Sequence, residues 1–169
     1  MKKAILTLLI AALGVSAYAQ SPDPDTTARH FIIMASIGNL QEVSSGHLAV
    51  QKSRRAAIRS FGQMMIKDHS QSQQQLLQLA KNQNIAIPQE ATTGIQEDLN
   101  MKNAGDNFDG LYVHAMTVDH RSTVQMFENY AITGKNPVLR EFARQMLPTL
   151  KAHLVTITAI DKQLNMADK

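Results

Sequence analysis

Phe61-Gly-Gln-Met-Met65-Ile-Lys-Asp68-His69 is echoed later in the chain by Tyr112-Val-His-Ala-Met116-Thr-Val-Asp119-His120. In each copy an aromatic residue is followed by Met four positions on, and by an Asp-His pair at seven and eight. On an α-helix those steps hold the aromatic, the Met and the pair on roughly one face. Two helices that each turn a carboxylate and an imidazole toward a common core predict an all-α domain with a polar site inside it.

Two further helices surround this pair. The first is predicted over about 25–52, with Phe31, Ala35, Gly38, Glu42, Ser45 and Ala49 on one stripe; Glu42 is its one carboxylate. The second helix, about 53–84, carries Ile58, Phe61, Met65, Ser72, Leu76 and Leu79 inward. Its Gln-rich stretch 70–75 is expected to be a wet outer face. The third starts at Asp106 or Asn107 as cap, with Asp109 favouring the positive helix end, and Gly134 stops it. The fourth opens on Asn136 and Pro137 and continues to about 165. Its stripe is Leu139, Phe142, Met146, Leu150, His153, Ile157, Ile160 and Leu164, and His153 interrupts it. Pro148 lies a turn before His153 and removes one backbone donor.

Between the second and third helices lies a connection of about 25 residues, broken by Pro88 and Gly94, with room for a short helix within 90–103. A connection of that length can run the length of a bundle, as in the ferritin-like topology with one crossover; up-and-down bundles use short loops. The expected fold is therefore a ferritin-like four-helix bundle with a long crossover between helices 2 and 3.

Glu42, His69, His120 and His153 each fall near the middle of their helix, so they stay level whichever way the helices run. Asp68 and Asp119 add carboxylates beside that layer. Neutral imidazole and carboxylate suit divalent iron, manganese, zinc, nickel or copper, and Met65, Met116 and Met146 keep copper among them. A ferritin-type di-iron site would need a Glu on two helices and Glu-x-x-His on the other two. Here Asp and His are adjacent and the fourth helix offers His153, so one Glu and up to three His point to a single ion. The competing reading is a metal-free layer in which Asp holds a neighbouring His and Glu42 pairs with His153, fixing helix register. His30, His47 and His114 are expected at or near the surface. An acid-base enzyme built on Glu42 and His153 has no legible substrate pocket, and no phosphate loop or nucleophile elbow appears.

The remaining features bear on compartment. Lys2 and Lys3, the apolar run 4–15 and Ala17-Tyr18-Ala19 read as a signal peptide over 1–19, followed by one domain over 20–169. No Cys follows the cleavage site, so a lipoprotein anchor is not expected, and no other run is long enough to span a bilayer. Without Lys2 and Lys3 the formal charge of +3 falls to about +1, and no clustered basic face points to nucleic acid. The chain has no cysteine, which excludes disulfides, thiolate metal sites and thiol catalysis.

The motifs Phe31-x-x-x-Ala35, Asn39-Leu-x-Glu42, Met65-x-x-Asp68-His69, Phe108-Asp109-x-x-Tyr112, Met116-x-x-Asp119-His120 and Leu147-Pro148-x-Leu150-x-x-His153 together resemble the bacterial domain-of-unknown-function family 4142. The resemblance covers residues 26–164. It implies an exported, ferritin-like four-helix domain of the periplasm or outer envelope, and it implies no activity. The function expected from the sequence is thus metal binding in a mid-bundle Glu/His/Asp layer. The alternative is a metal-free envelope interaction or stress protein. Partners and oligomeric state stay open.

Overall fold

The periodic segments form helices with caps that the sequence largely supplies. The computed structural model describes residues 26–93 and 98–167; the expected signal peptide lies outside the described residues. Helix α1 spans Thr26–Lys52 and α2 Ala56–Asn82. Two single-turn helices follow, α3 (Glu90–Thr93) and α4 (Leu99–Lys102), then α5 (Phe108–Thr133) and α6 (Pro137–Ala167). Among the described residues there are six α-helices and no strand, and no helix is long and apolar enough to cross a membrane.

Asn136 caps α6 as expected: its Oδ1 accepts the backbone N–H of Val138 at 3.0 Å and of Leu139 at 3.2 Å. Helix α6 runs unbroken through Pro148. Two starts differ from expectation. Helix α2 begins after a break at 53–55, where Ser53 Oγ accepts the Arg55 N–H at 3.1 Å. Helix α5 is entered through a 3₁₀ turn, Gly105–Asn107, and the Asn107 side chain makes no capping bond. Asp109, in the first turn of α5, instead meets Arg55 at 3.6 Å. Gly134 does end α5, but its φ of −57° is not left-handed. A Cβ there would stand 2.6 Å from the Tyr130 ring, so crowding is what demands glycine.

Helix α1 packs along α2 and α5 along α6, and the two hairpins meet through α1 against α5 and α2 against α6. Phe31, early in α1, stacks on Tyr130, late in α5, at 4.0 Å between centroids. Asn136, just before α6, bonds Gln83, just after α2, at 3.1 Å. All four neighbouring pairs therefore run antiparallel, α2 and α5 run the same way, and segment 83–107 must travel from one end to the other. Its described first part lies on α1: Arg29 Nε donates to the Ala86 carbonyl at 3.2 Å, and Ser36 Oγ donates to the Ala91 carbonyl.

The interior divides into two apolar clusters. One gathers Phe31, Leu76, Phe127 and Leu139; the other gathers Ile58, Phe61, Tyr112 and Ile157. Along every long helix a polar residue stands where one cluster gives way to the other: Glu42 before Leu48, His69 after Met65, His120 after Met116, His153 after Leu150. Helices α1 and α2 touch closely below that layer. A Cβ on Gly62 would lie 2.8 Å from both the Gly46 carbonyl oxygen and the Ala49 Cβ.

Candidate metal centre

His69, His120 and His153 come together in the middle of the bundle, as the mid-helix positions predicted. They are 5%, 1% and 2% exposed, and their ring centroids stand 5.7, 5.5 and 5.4 Å apart. One ring nitrogen from each lies within 4.8 Å of the others. Phe61 packs edge-on against His120 and His153, at 5.9 and 6.3 Å, and makes an apolar floor.

The hydrogen bonds decide which nitrogen each ring keeps free. His120 Nδ1 lies 3.0 Å from the Met116 carbonyl, which can only accept, so Nδ1 carries the hydrogen and Nε2 the lone pair. His153 Nε2 donates to Asp68 Oδ2 at 3.0 Å, leaving Nδ1. His69 is fixed through a longer chain. The Ala91 carbonyl only accepts, so the Ser36 hydroxyl donates to it and accepts from Gln73 Nε2 at 2.7 Å. Gln73 Oε1 then accepts from Asn39 Nδ2 at 3.3 Å, which also reaches Ser72 Oγ at 3.2 Å. Asn39 Oδ1 is left to accept from His69 Nδ1 at 2.9 Å, and His69 Nε2 bears the lone pair. His69 Nε2, His120 Nε2 and His153 Nδ1 are all buried without a hydrogen-bond partner.

Three such atoms are costly, about 1–3 kcal/mol each for a buried unsatisfied polar group. A layer that served only helix register would be expected to pair them. The Asp-His bond anticipated for a metal-free layer is present, but it occupies the outer nitrogen of His153. Burial drives the rings toward the neutral, lone-pair-bearing form. His69 is lowered to about 3, first by desolvation and then by the neighbouring His120 and His153. His120 falls to about 4 by desolvation and by His153, against the Met116 bond that favours the charged ring. His153 is lowered by desolvation, with Asp68 opposing.

The carboxylates take different places. Glu42 does not pair with His153; its Oε1 lies 3.3 Å from His120 Nδ1, and its Oε2 is buried without a partner. An ion pair is the obvious reading of that distance. Burial, and then Asp119, push Glu42 well above the usual carboxylate range while His120 is pushed down. Both shifts favour the uncharged forms, so we treat the pair as neutral. Asp68 holds His153. Asp119 is exposed and joins Glu42 only in lining a surface cleft. Among the described residues the group close enough to share one metal ion is the three histidines; Glu42, Asp68 and Asp119 are not part of it. His30, His47 and His114 are exposed, as expected.

One expectation fails in an informative way. The Gln-rich stretch of α2 is not wholly a wet face, because Gln73 is buried against α1, beside Ser72 of the inward stripe. With Ser36 and Asn39 they form the chain that orients His69. Nothing in periodicity marks Gln73; a polar residue one step from a stripe reads as solvent-facing unless its partner on the next helix is known.

The family profile of the domain of unknown function DUF4142 matches residues 13–160. The chain belongs to the DUF4142 family. No curated protein matches this DUF4142 chain. Two solved structures share its fold. One is described as CopM in the Ag-bound form, obtained by soaking, with a TM-score of 0.68, 15% identity, and 82% of this chain and 97% of that chain covered. The other is a DUF305 fragment from Deinococcus radiodurans, with a TM-score of 0.69, 12% identity, and 84% and 99% covered. At such identities the likeness shows the shared helical fold alone.

Proposed function

We propose that this DUF4142 protein is an exported, ferritin-like four-helix bundle that holds one transition-metal ion on His69 Nε2, His120 Nε2 and His153 Nδ1. The observation that carries the reading is the convergence of three buried histidines, each with a ring nitrogen within 4.8 Å of the others and each keeping one ring nitrogen without a hydrogen-bond partner. Nitrogens bound to one tetrahedral ion at about 2.0–2.1 Å stand roughly 3.4 Å apart, so adjustments of about an ångström close the set. The outer nitrogens are already fixed by a carboxylate, a carbonyl and an amide oxygen, the arrangement that orients metal-binding imidazoles. Asp68 stands one hydrogen bond outside the rings and supplies negative charge next to a cation that three neutral ligands cannot offset.

Iron, nickel and zinc share the imidazole preference with copper, whereas manganese favours oxygen ligands. Copper leads among them on two grounds. The thioethers of Met65 and Met116 are buried in the shell beneath the rings, and a structural neighbour carries silver, a soft ion. Holding or carrying the ion fits better than catalysis. The cavity beside His69 has a volume of about 20 Å³, room for about one water molecule and none for an organic substrate. The signal-like segment 1–19 supports an envelope location, where holding a reactive metal away from solvent is useful.

The test is metal analysis of protein purified from its native compartment, beside a His153→Ala variant. One ion per chain, lost in the variant, is the expected result. Protein that carries no metal, and gains no thermal stability from any tested divalent ion or from silver, would sink the reading and leave the layer a structural one.

A further inference from the structure

Helices α1 and α5 part over the middle of the bundle. The cleft between them has a volume of about 190 Å³ and contains Glu42 and Asp119 on its walls, with Met34, Met116 and Met126 around them. Directly inward lies the cavity of about 20 Å³ that touches His69. Surface cleft and inner cavity share Met34, Gly38, Glu42, Thr123 and Met126. The partition between solvent and the histidine cluster is therefore made of two methionines, a carboxyl group, a threonine and a glycine. Glu42 Oε2 is the unpartnered buried oxygen in that partition.

Each member suits passage of a cation. Methionine is unbranched, with three rotatable bonds, so it can swing without disturbing the backbone. Its thioether is a soft ligand that favours ions such as Cu(I) over hard divalent ions. Asp119 at the exposed rim attracts positive charge, and Glu42 stands between rim and rings. Gly38 keeps the partition thin: apart from its own turn of helix, a Cβ built there meets nothing within 4 Å. Glycine inside a helix costs roughly 0.5–1 kcal/mol relative to alanine. No close contact or left-handed backbone at Gly38 explains it.

We propose that the α1–α5 cleft is the entry path of the ion, and that its methionine partition admits soft monovalent cations of the Cu(I) and Ag(I) class. The path rests on the three-histidine reading and adds to it a direction of approach and a preference. Ions cross at Met34 and Met126, pass Glu42 and reach His69 first of the three rings.

Stopped-flow loading of the apo protein with Ag(I), a redox-inert probe of Cu(I) chemistry, and with Zn(II) tests the proposal. Gly38→Leu fills the cleft from a helix position with open space around it. It should slow Ag(I) loading by roughly tenfold or more, because entry then requires a conformational change, while the final stoichiometry by equilibrium dialysis is retained. Gly110→Leu, at an exposed glycine that is also open, is the control and should load at the wild-type rate. Met34→Leu with Met126→Leu preserves volume and removes sulfur; it should slow Ag(I) relative to Zn(II). Unchanged loading in Gly38→Leu, or equal slowing in the Gly110→Leu control, overturns the path. Equal slowing of both ions in the double methionine variant overturns the preference. Wild-type protein that binds no ion at equilibrium removes the three-histidine reading and the path together.

Discussion

The two copies of the aromatic-Met-Asp-His motif end in different places. In α2 and in α5 alike, the His turns into the core and offers Nε2 to the same cluster. Their aspartates part company. Asp68 faces α6 and holds His153 at 3.0 Å. Asp119 faces the α1–α5 cleft and is exposed. Identical local spacing gives identical directions relative to each helix axis. What differs is the neighbour on the Asp side: for α2 it is α6, which presents a histidine at that height, and for α5 it is α1, where the helices part. A repeated motif thus specifies the shared face, and the bundle's handed arrangement specifies everything one step round from it.

The largest test of that contrast is a pair of isosteric changes. Asp68→Asn should weaken metal affinity by about 10–100-fold, the usual effect of losing the partner behind a ligating histidine. Asp119→Asn should change equilibrium affinity by less than about threefold, since it touches no ring. Competition titration against a chromophoric chelator measures both. Equal losses would erase the distinction between the copies.

The residue after the aromatic sharpens the contrast at the level of packing. In α2 it is Gly62, pressed on the Gly46 carbonyl; in α5 it is Val113, fully buried. Gly62→Ala should cost about 1–3 kcal/mol through overpacking, visible as a lowered denaturant midpoint. A gain in stability, as expected for an unconstrained helical Gly→Ala, would mean the helices are not pinned there.

The most gradual effect is that of pH on the metal-free protein. His69 and His120 titrate near 3 and 4 when folded and near 6.5 when unfolded. Below about 6.5 the unfolded chain binds the protons that the folded rings refuse, so stability is full above that pH and falls continuously toward pH 4. Glu42, raised in the fold, acts in the opposite sense and loses stabilisation as pH rises above the ordinary carboxylate range. Urea midpoints between pH 4 and 7 should therefore fall on acidification, and by less in the His69→Gln, His120→Gln double variant.

Much of this was legible beforehand, and the reasons are specific. The stripes of the first, second and fourth helices read largely correctly because each helix buries one face: Leu139, Phe142, Leu150, Ile157, Ile160 and Leu164 are all buried on α6, with Met146 half-buried among them. The level placement of His69, His120 and His153 followed from helix length alone. The partners did not follow, because they depend on which helices adjoin. Glu42 was set against His153 in the metal-free reading, yet α1 adjoins α5 and so meets His120. Asn39 was visible only as a member of a family motif, and Gln73 only as part of a polar run. Their role depends on a relay of donors and acceptors that begins at a backbone carbonyl in the crossover, which no side-chain pattern encodes.

The unequal packing of the long helices carries one more consequence. Each hairpin, α1 with α2 and α5 with α6, is joined along its length, while the hairpins face each other across a looser seam. His69 belongs to the first hairpin, and His120 and His153 to the second. An ion on all three would act as a rivet through that seam, fastening one hairpin to the other. Without it the protein is a folded pair of leaves; with it, the leaves are locked shut.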